Sequence, residues 1–340
     1  MSTSREWRLV RRPQGIPVDA DFALVEVPLP PLGDGEVLVG NTFLSVDPYM
    51  RGRMNDVKSY SPPFQLHQPM DGGAVGVVES VGGTVADSTG RAVARGDTVL
   101  HHLGWRSRSV LAASATRVVD TSFAPAQAWL GVLGMPGLTA YAGLLRVGEF
   151  REDDRVFVSA AAGAVGSLVG QIARLRGASL VVGSAGGPDK TRWLVDDAGF
   201  DRAIDHWSTP IGRGLRETAP EGIDVYFDNV GADHLEAAIS SLRKGGRVAA
   251  CGMIARYNDT EASPGPRNMP MVIGKRLMIK GFLVLDHEDL RPQFEEEVGA
   301  WVREGKVVWR ETVVEGIDQA VAGFLSLMSG GNTGKMLVRL

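Results

Sequence analysis

The residues best suited to chemistry in this sequence are small ones: Ala161, Ala162, Gly163, Ala164, Val165 and Gly166. They close an apolar run beginning at Arg155 and open a stretch with helical spacing at Val165, Leu168, Val169, Ile172 and Leu175. A strand that turns directly into a helix brings backbone N–H groups within reach of a pyrophosphate, at the end where the helix dipole favours an anion. Side chains there would hold the phosphates away, so the position calls for small residues. The usual pattern is GxGxxG; here Ala161 stands in for the first glycine, leaving AxGxxG. Close packing alone also places small residues at such turns, so the next strand has to decide. In a site for NAD that strand ends in Asp or Glu, about 20 residues past the glycines, to hold the ribose 2′-hydroxyl. Here it runs into Val182, Gly183, Ser184, Ala185, Gly186 and Gly187 with no acid, and Lys190 follows. A missing carboxylate and a nearby cation suit a 2′-phosphate and predict NADP(H) as the cofactor. The alternative for Lys190 is a solvated surface lysine.

The elements that must hold this turn repeat as apolar strand, glycine, helix, with strands expected at 155–159, 179–182, 202–204, 223–227, 246–250 and 277–281. Six such strands make a full dinucleotide-binding sheet. Before them, short apolar runs such as 36–39, 74–78 and 98–100 are broken by Gly, Pro and Asp, which reads as an irregular β domain. Strand-like text returns after 305 around one short helix in 319–328. The division expected is a β-rich domain over 1–128, completed by 306–340, and a doubly wound parallel α/β domain over 129–305. The polar stretch 256–275, rich in Gly, Pro and Asn, reads as a functional loop or lid, or simply a surface loop.

Composition narrows the partners. A formal charge of −4 gives no basic footprint for nucleic acid. No stretch has the roughly 18 uninterrupted apolar residues of a membrane span, and the polar beginning lacks the core of a signal peptide. A cytoplasmic protein is expected. The single cysteine, Cys251, excludes an intrachain disulfide and every multi-cysteine zinc site. None of His67, His101, His102, His206, His234 and His287 sits with Cys or Glu at ligand spacing, so no metal is expected and the histidines read as structural or surface residues.

Six strings in the same order, VDPYMRGRM (46–54), GMPGLTAY (134–141), SAAAGAVGS (159–167), YFDNVG (226–231), CGMIARYN (251–258) and GNTGKMLV (331–338), cover nearly the whole chain. They resemble the alkenal/one double-bond reductases, the zinc-independent medium-chain dehydrogenase/reductase group that includes leukotriene B4 12-hydroxydehydrogenase, or prostaglandin reductase. The resemblance implies a GroES-like catalytic domain, a Rossmann cofactor domain and a homodimer. It implies hydride transfer from NADPH to the β-carbon of an α,β-unsaturated aldehyde or ketone without a metal. Where zinc-dependent relatives carry a cysteine and a Gly-His-Glu segment, this chain has Val46-Asp47-Pro48 and Met70-Asp71-Gly72-Gly73. Carried over, Gly163, Ala164, Val165 and Gly166 meet the pyrophosphate and Lys190 the 2′-phosphate. Asn229 faces the nicotinamide side. Cys251, Gly252, Met253, Ile254 and Tyr257 run along the cofactor, with Phe282, Leu283 and Val284 near the nicotinamide and Asn332 a further contact. His206 falls where the family often has a tyrosine at the adenosine end. Ala255 and Arg256 depart from the usual Ser followed by Thr or Gln.

Hydride addition to the β-carbon pushes negative charge onto the carbonyl oxygen, and a donor already aimed there lowers the barrier. Tyr257 is the candidate donor, since a phenol with an ordinary pKa near 10 stays protonated at neutral pH; the alternative is an aromatic pocket wall. Tyr49 is the second candidate, better suited to packing a substrate. Arg51 and Arg53 beside it either draw an acidic substrate tail or form a solvated rim. The α-carbon proton is left to solvent. Cys251, at a strand end, reads as buried and inert. Two other functions stay open: an NADPH-dependent quinone reductase, and an NADP(H)-binding protein without turnover.

Overall fold

The computed structural model describes residues 2–340. The chain divides into two compact units, one running to Leu130 and taken up again by Glu311–Leu340, the other Gly131–Arg310. In the first, Thr3–Leu9 (β1) and Phe22–Pro28 (β2) form an antiparallel ribbon. Glu36–Ser45 (β3) leads, through Met50–Arg53 (α1), to Ala74–Val81 (β4), Val85–Ala86 (β5), Ala92–Val93 (β6), Thr98–His101 (β7), Arg108–Ala112 (β8) and Arg117–Val118 (β9). β3 is the hub: it pairs antiparallel with β4 along one edge and with β8 along the first half of the other.

The second unit begins with Met135–Ala142 (α2), which passes into a π-helical turn over Gly143–Val147. Strands and helices then alternate: Arg155–Val158 (β10), Ala164–Leu175 (α3), Leu180–Ala185 (β11), Pro188–Asp196 (α4), Arg202–Asp205 (β12), Ile211–Thr218 (α5), Ile223–Asp228 (β13), Ala232–Ser241 (α6) and Leu242–Ala250 (β14). Pro270–Lys275 (α7), Met278–Gly281 (β15) and Arg291–Arg303 (α8) complete it. The chain then returns to the first unit with Glu311–Glu315 (β16), Ala320–Met328 (α9) and Lys335–Arg339 (β17); β17 pairs with β16 and with the second half of β3.

The six strands of the second unit are all parallel in the order β12-β11-β10-β13-β14-β15. The order reverses between β10 and β13, and in such sheets ligands bind beyond the carboxyl ends of the strands at that switch point. All six expected strands are present. β14 begins earlier than the apolar text indicated, because a register shift lets Leu242 pair with Ile223 ahead of Arg247 with Val225. Two details differ from the sequence reading. The stretch 256–275 is not loop throughout, since its last six residues form α7 with Pro270 in the first turn. Leu175 is 38% exposed, although it falls at core spacing, because α3 ends there and its last residues, Arg174 to Arg176, are exposed.

Gly170, in the middle of α3, shows how tightly helix meets sheet. A Cβ there would fall 2.0 Å from the Phe200 ring. Alanine is the better helix former by about 1 kcal/mol, but overpacking costs about 1–3 kcal/mol, so Gly170→Ala is expected to lower stability. Differential scanning calorimetry of the variant checks this; an unchanged or raised Tm would show that Phe200 moves aside freely.

Candidate active site

Gly163 caps α3, and no side chain is bonded to the helix's first turn, so its backbone N–H groups lie open at the switch point. A Cβ on Gly166 would sit 2.6 Å from the Ala160 carbonyl oxygen and 2.8 Å from the Ala161 Cα, so this position is closed to every side chain by the backbone of the turn after β10. At Gly163 the nearest atom would be the same oxygen at 3.2 Å. Ala161 is accommodated because of a glycine elsewhere: a Cβ on Gly183, in β11, would meet the Ala161 methyl at 2.8 Å. The cradle therefore keeps the space that three glycines provide, with one of them moved to the adjacent strand. Ala164 and Val165 complete its first turn.

β11 ends at Ala185, and the turn that follows contains no acid. Gly187 adopts φ +92°, a conformation L side chains rarely take, and donates its N–H to Asp205 Oδ1 at 2.8 Å. Trp207 N–H reaches the same oxygen at 3.0 Å. Partial burial opposes ionisation of Asp205, but these backbone bonds hold its carboxyl below the ordinary value. The acid is thus occupied in shaping the turn. Lys190 lies in the first turn of α4, half-buried, and desolvation lowers its ammonium pKa. His206 donates its backbone N–H to the Ala185 carbonyl at 3.1 Å, and its ring meets His234 edge-on, 5.4 Å between centroids. The Trp207 indole lies against the turn, since a Cβ on Gly186 would come 2.5 Å from its Cε2, yet the residue is 67% exposed.

At the other end of the switch point, Asp228 Oδ1 accepts hydrogen bonds from Tyr226 Oη (2.6 Å) and the backbone N–H groups of Val230 (2.9 Å) and Gly231 (2.8 Å). Burial nevertheless pushes the Asp228 carboxyl up. Asn229 Nδ2 donates to the Ser159 carbonyl at 2.8 Å, joining the ends of β10 and β13. Cys251 and Gly252 donate their N–H groups to the Asp228 carbonyl, and Ile254 donates to that of Asn229. These bonds lay the segment after β14 across the strand ends. Beside it is a cavity of about 400 Å³ lined by Ala250, Cys251, Gly252, Met253, Gly281, Phe282, Leu283 and Asp286. The Tyr257 hydroxyl overhangs its wall, 3.1 Å from where a Gly252 Cβ would project. Phe282 is held edge-on to Phe227, 6.2 Å between centroids, over the space left by Gly143 in the π-helical turn. Val284 begins the 3-10 turn that follows. Burial first, then the charge of Asp228, pushes the Cys251 thiol up to about 12, so no thiolate forms near neutrality.

Tyr49 and Asn332 belong to the first unit. Burial first, then Asp47, raises the Tyr49 phenol, which keeps its proton throughout the neutral range. Asp47 pairs with Lys335 at 3.1 Å, both almost wholly buried, and Lys335 Nζ also donates to the Val46 carbonyl at 2.6 Å. That ammonium ties the turn carrying Asn332, whose Nδ2 donates to the Gly334 carbonyl at 2.7 Å, to the segment carrying Tyr49. The two arginines after Tyr49 are not a solvated rim. Arg51 is buried and donates to Asn55 Oδ1 and the Gly15 carbonyl, both at 2.8 Å. Arg53 forms a two-pronged pair with Asp71 and lies 4.1 Å over the Phe64 ring. Both brace the loop internally, since backbone carbonyls and carboxylates lie closer than solvent. His101 is structural: burial pushes it down to about 3, Nδ1 accepts the Leu103 N–H at 3.1 Å, and Nε2 lies 2.9 Å from Asn41 Oδ1. Among the described residues no group of three or more His, Cys, Asp or Glu side chains could hold a metal ion.

Sequence reasoning missed Gly183, Ser159, Asp228, His234 and Trp207. An aromatic directly after the third strand, beside a Gly-Gly turn, was the available signal for Trp207. The partners of Ser159 lie on the neighbouring strand and left no local mark, whereas those of Asp228, apart from Ser159, are its own neighbours Tyr226, Val230 and Gly231.

Residues 5–119 match the family described as the N-terminal domain of oxidoreductase, and 164–300 that described as zinc-binding dehydrogenase. An NADPH-dependent curcumin reductase of Escherichia coli (strain K12) is 39% identical over 99% of this chain and 97% of its own. A 2-alkenal reductase (NADP(+)-dependent) of Nicotiana tabacum is 38% identical over 95% and 94%. A crystal structure of CurA in complex with NADPH from Vibrio vulnificus superposes with a TM-score of 0.91 at 37% identity, covering 98% of each chain. With this similarity along its whole length, and one cysteine where a four-cysteine zinc lobe would need more, the chain belongs to the zinc-independent medium-chain dehydrogenase/reductases, in their alkenal reductase group.

Proposed function

We propose that this protein is an NADPH-dependent 2-alkenal/enone reductase, acting on the carbon–carbon double bond conjugated to an aldehyde or ketone. The observation that carries the cofactor reading is the pairing of an α3 terminus that has a glycine N-cap and no side-chain cap with an acid-free β11 end flanked by Lys190. NADPH, when bound, supplies the hydride. The backbone at Gly163, Ala164, Val165 and Gly166 holds the pyrophosphate, Lys190 and His206 the 2′-phosphate, and the cavity walls at Cys251, Gly252, Met253, Phe282 and Leu283, with Asn229, Ile254 and Val284 beside them in the chain or in space, confine the reacting ring. Asn332 is a further contact on the cofactor. Tyr257 donates a hydrogen bond to the carbonyl oxygen as charge develops there. Tyr49, protonated and half-buried, packs the substrate. The names of the curcumin and 2-alkenal reductases among the relatives support the substrate class.

The test is consumption of NADPH and NADH with benzalacetone, hexenal and a simple quinone as parallel acceptors. Fast NADPH-dependent loss with the enone or enal is the expected result. Turnover of the quinone alone would replace this reading by quinone reduction, and binding without turnover by a non-catalytic NADP(H) protein.

Trp207 offers an exposed aromatic face beside the adenosine end, and stacking of a base on such a ring contributes about 1–3 kcal/mol. Trp207→Ala is expected to weaken NADPH and NADH alike by about tenfold, because both carry adenine; fluorescence titration with each cofactor reads the effect, and a loss confined to one cofactor would overturn it.

The reading includes a homodimer in the cytoplasm. β15 is the outer strand of the six-stranded sheet, with Ile279 at 38% and Ile273 at 82% exposure nearby. An unpaired edge with apolar side chains invites a second copy. Light scattering is expected to give twice the 36.3 kDa chain mass, and the chain mass itself for a variant with Ile273→Glu and Ile279→Lys. Chain mass for the unaltered protein would exclude the dimer.

A further inference from the structure

Beyond the phosphate cradle, the adenosine end gathers two histidines from different elements. His206 follows β12 and His234 lies in the first turn of α6, their rings edge-on at 5.4 Å. His234 is 93% buried, being 7% exposed, and its Nε2 has no hydrogen-bond partner among the described residues. His206 is exposed beside it, on the side of the Gly186–Gly187 turn that Trp207 covers. The charged groups that act on His206 are Lys190 from α4, Asp205 from its own segment and His234 from α6.

We propose that His206 takes up a proton from solvent when an adenosine 2′-phosphate binds beside Lys190, so that the preference for NADPH over NADH strengthens as pH falls. This rests on the NADP(H) reading above and adds the means by which that site distinguishes the two cofactors. In the free protein, partial burial keeps His206 below its ordinary value, against the opposing pull of the Ala185 carbonyl oxygen and Asp205 on the ring, with Lys190 a smaller lowering influence. Burial pushes His234 down to about 4, so it remains neutral and adds no competing positive charge. Asp205 already accepts two backbone N–H groups and stays ionised. His206 is therefore the group in this cluster poised to change charge. A phosphate dianion favours the imidazolium and raises the bound-state pKa. The sign follows: the extra affinity is fully present below the free-state pKa and is lost as pH rises through the bound-state pKa. A tyrosine at this position has no proton to gain.

The experiment is isothermal titration calorimetry of the full chain with NADPH and, separately, NADH, at pH 7.5 in buffers of different ionisation enthalpy. At this pH a phosphate monoester with a second pKa near 6 is already almost fully a dianion. NADPH binding is expected to take up a substantial fraction of one proton and NADH binding none. Between pH 8.5 and 7 the ratio of the two Kd values is expected to grow by about fivefold, within the tenfold per pH unit that one linked proton allows. His206→Asn should abolish the uptake and flatten the ratio while NADPH still binds, and His206→Tyr should do the same. Equal proton uptake with both cofactors, no uptake with NADPH, or uptake that persists in His206→Asn overturns the proposal while leaving the NADP(H) reading intact. Failure of NADPH to bind at all would overturn both.

Discussion

Tyr257→Phe lowers kcat for an enone by about 100- to 1000-fold while leaving the Kd for NADPH within about twofold. The expectation follows from where the charge goes. Addition of hydride at the β-carbon leaves an enolate, and the carbonyl oxygen passes from a modest acceptor to an anion in one step. A fixed donor contributes far more to that state than to bound substrate, so its removal appears in kcat and not in binding. The hydroxyl of Tyr257 is positioned over Gly252, where a side chain on residue 252 would meet it at 3.1 Å. Gly252→Ala should therefore displace the hydroxyl and reproduce part of the loss. Stopped-flow single-turnover rates separate chemistry from product release. A loss below about fivefold in Tyr257→Phe would reduce the residue to a wall of the pocket.

Lys190→Ala raises the Kd for NADPH by about 10- to 150-fold and leaves that for NADH nearly unchanged. A hydrogen bond to a charged group is typically worth about 1.5–3 kcal/mol, and Lys190 is half-buried, where solvent screens it less than at an open surface. Its lowered ammonium pKa, caused by desolvation, marks a cation held where an anion would relieve the cost of burial. Lys190→Arg should keep much of the preference, and the loss in Lys190→Ala should shrink as salt is added. Equal losses for both cofactors would mean that the lysine supports the turn and does not read the phosphate.

The second unit was the more legible part of the molecule because its signals are local. A buried parallel strand is a short apolar run, and each run ends at the glycine or small residue that lets the chain turn into a helix. The acid-free end at 182–187 could be read for the same reason, since what matters there is which side chain is present. What stayed hidden depends on contacts distant in sequence. Nothing around Gly183 announces that it makes room for Ala161. The fates of Arg51 and Arg53 are set by the Gly15 carbonyl, Asn55, Asp71 and Phe64, and three of these are not their neighbours in the chain. The helix at Pro270–Lys275 was lost in polar text because its stability comes from outside its own sequence, including Lys275 Nζ donating to the carbonyls of Ile239, Ser240 and Leu242 where α6 passes into β14.

The space beside residue 183 is closed by the Ala161 methyl at 2.8 Å and by the Phe200 ring at 2.9 Å, so what residue 183 can be depends on both. A side chain at 183 needs both glycine at 161 and a shift of the Phe200 ring. Gly183→Ala is thus expected to be damaging alone and less damaging with Ala161→Gly, the Phe200 ring at 2.9 Å from the added methyl accounting for the remaining loss. The alanine in this cradle is thus held in place by a glycine one strand away.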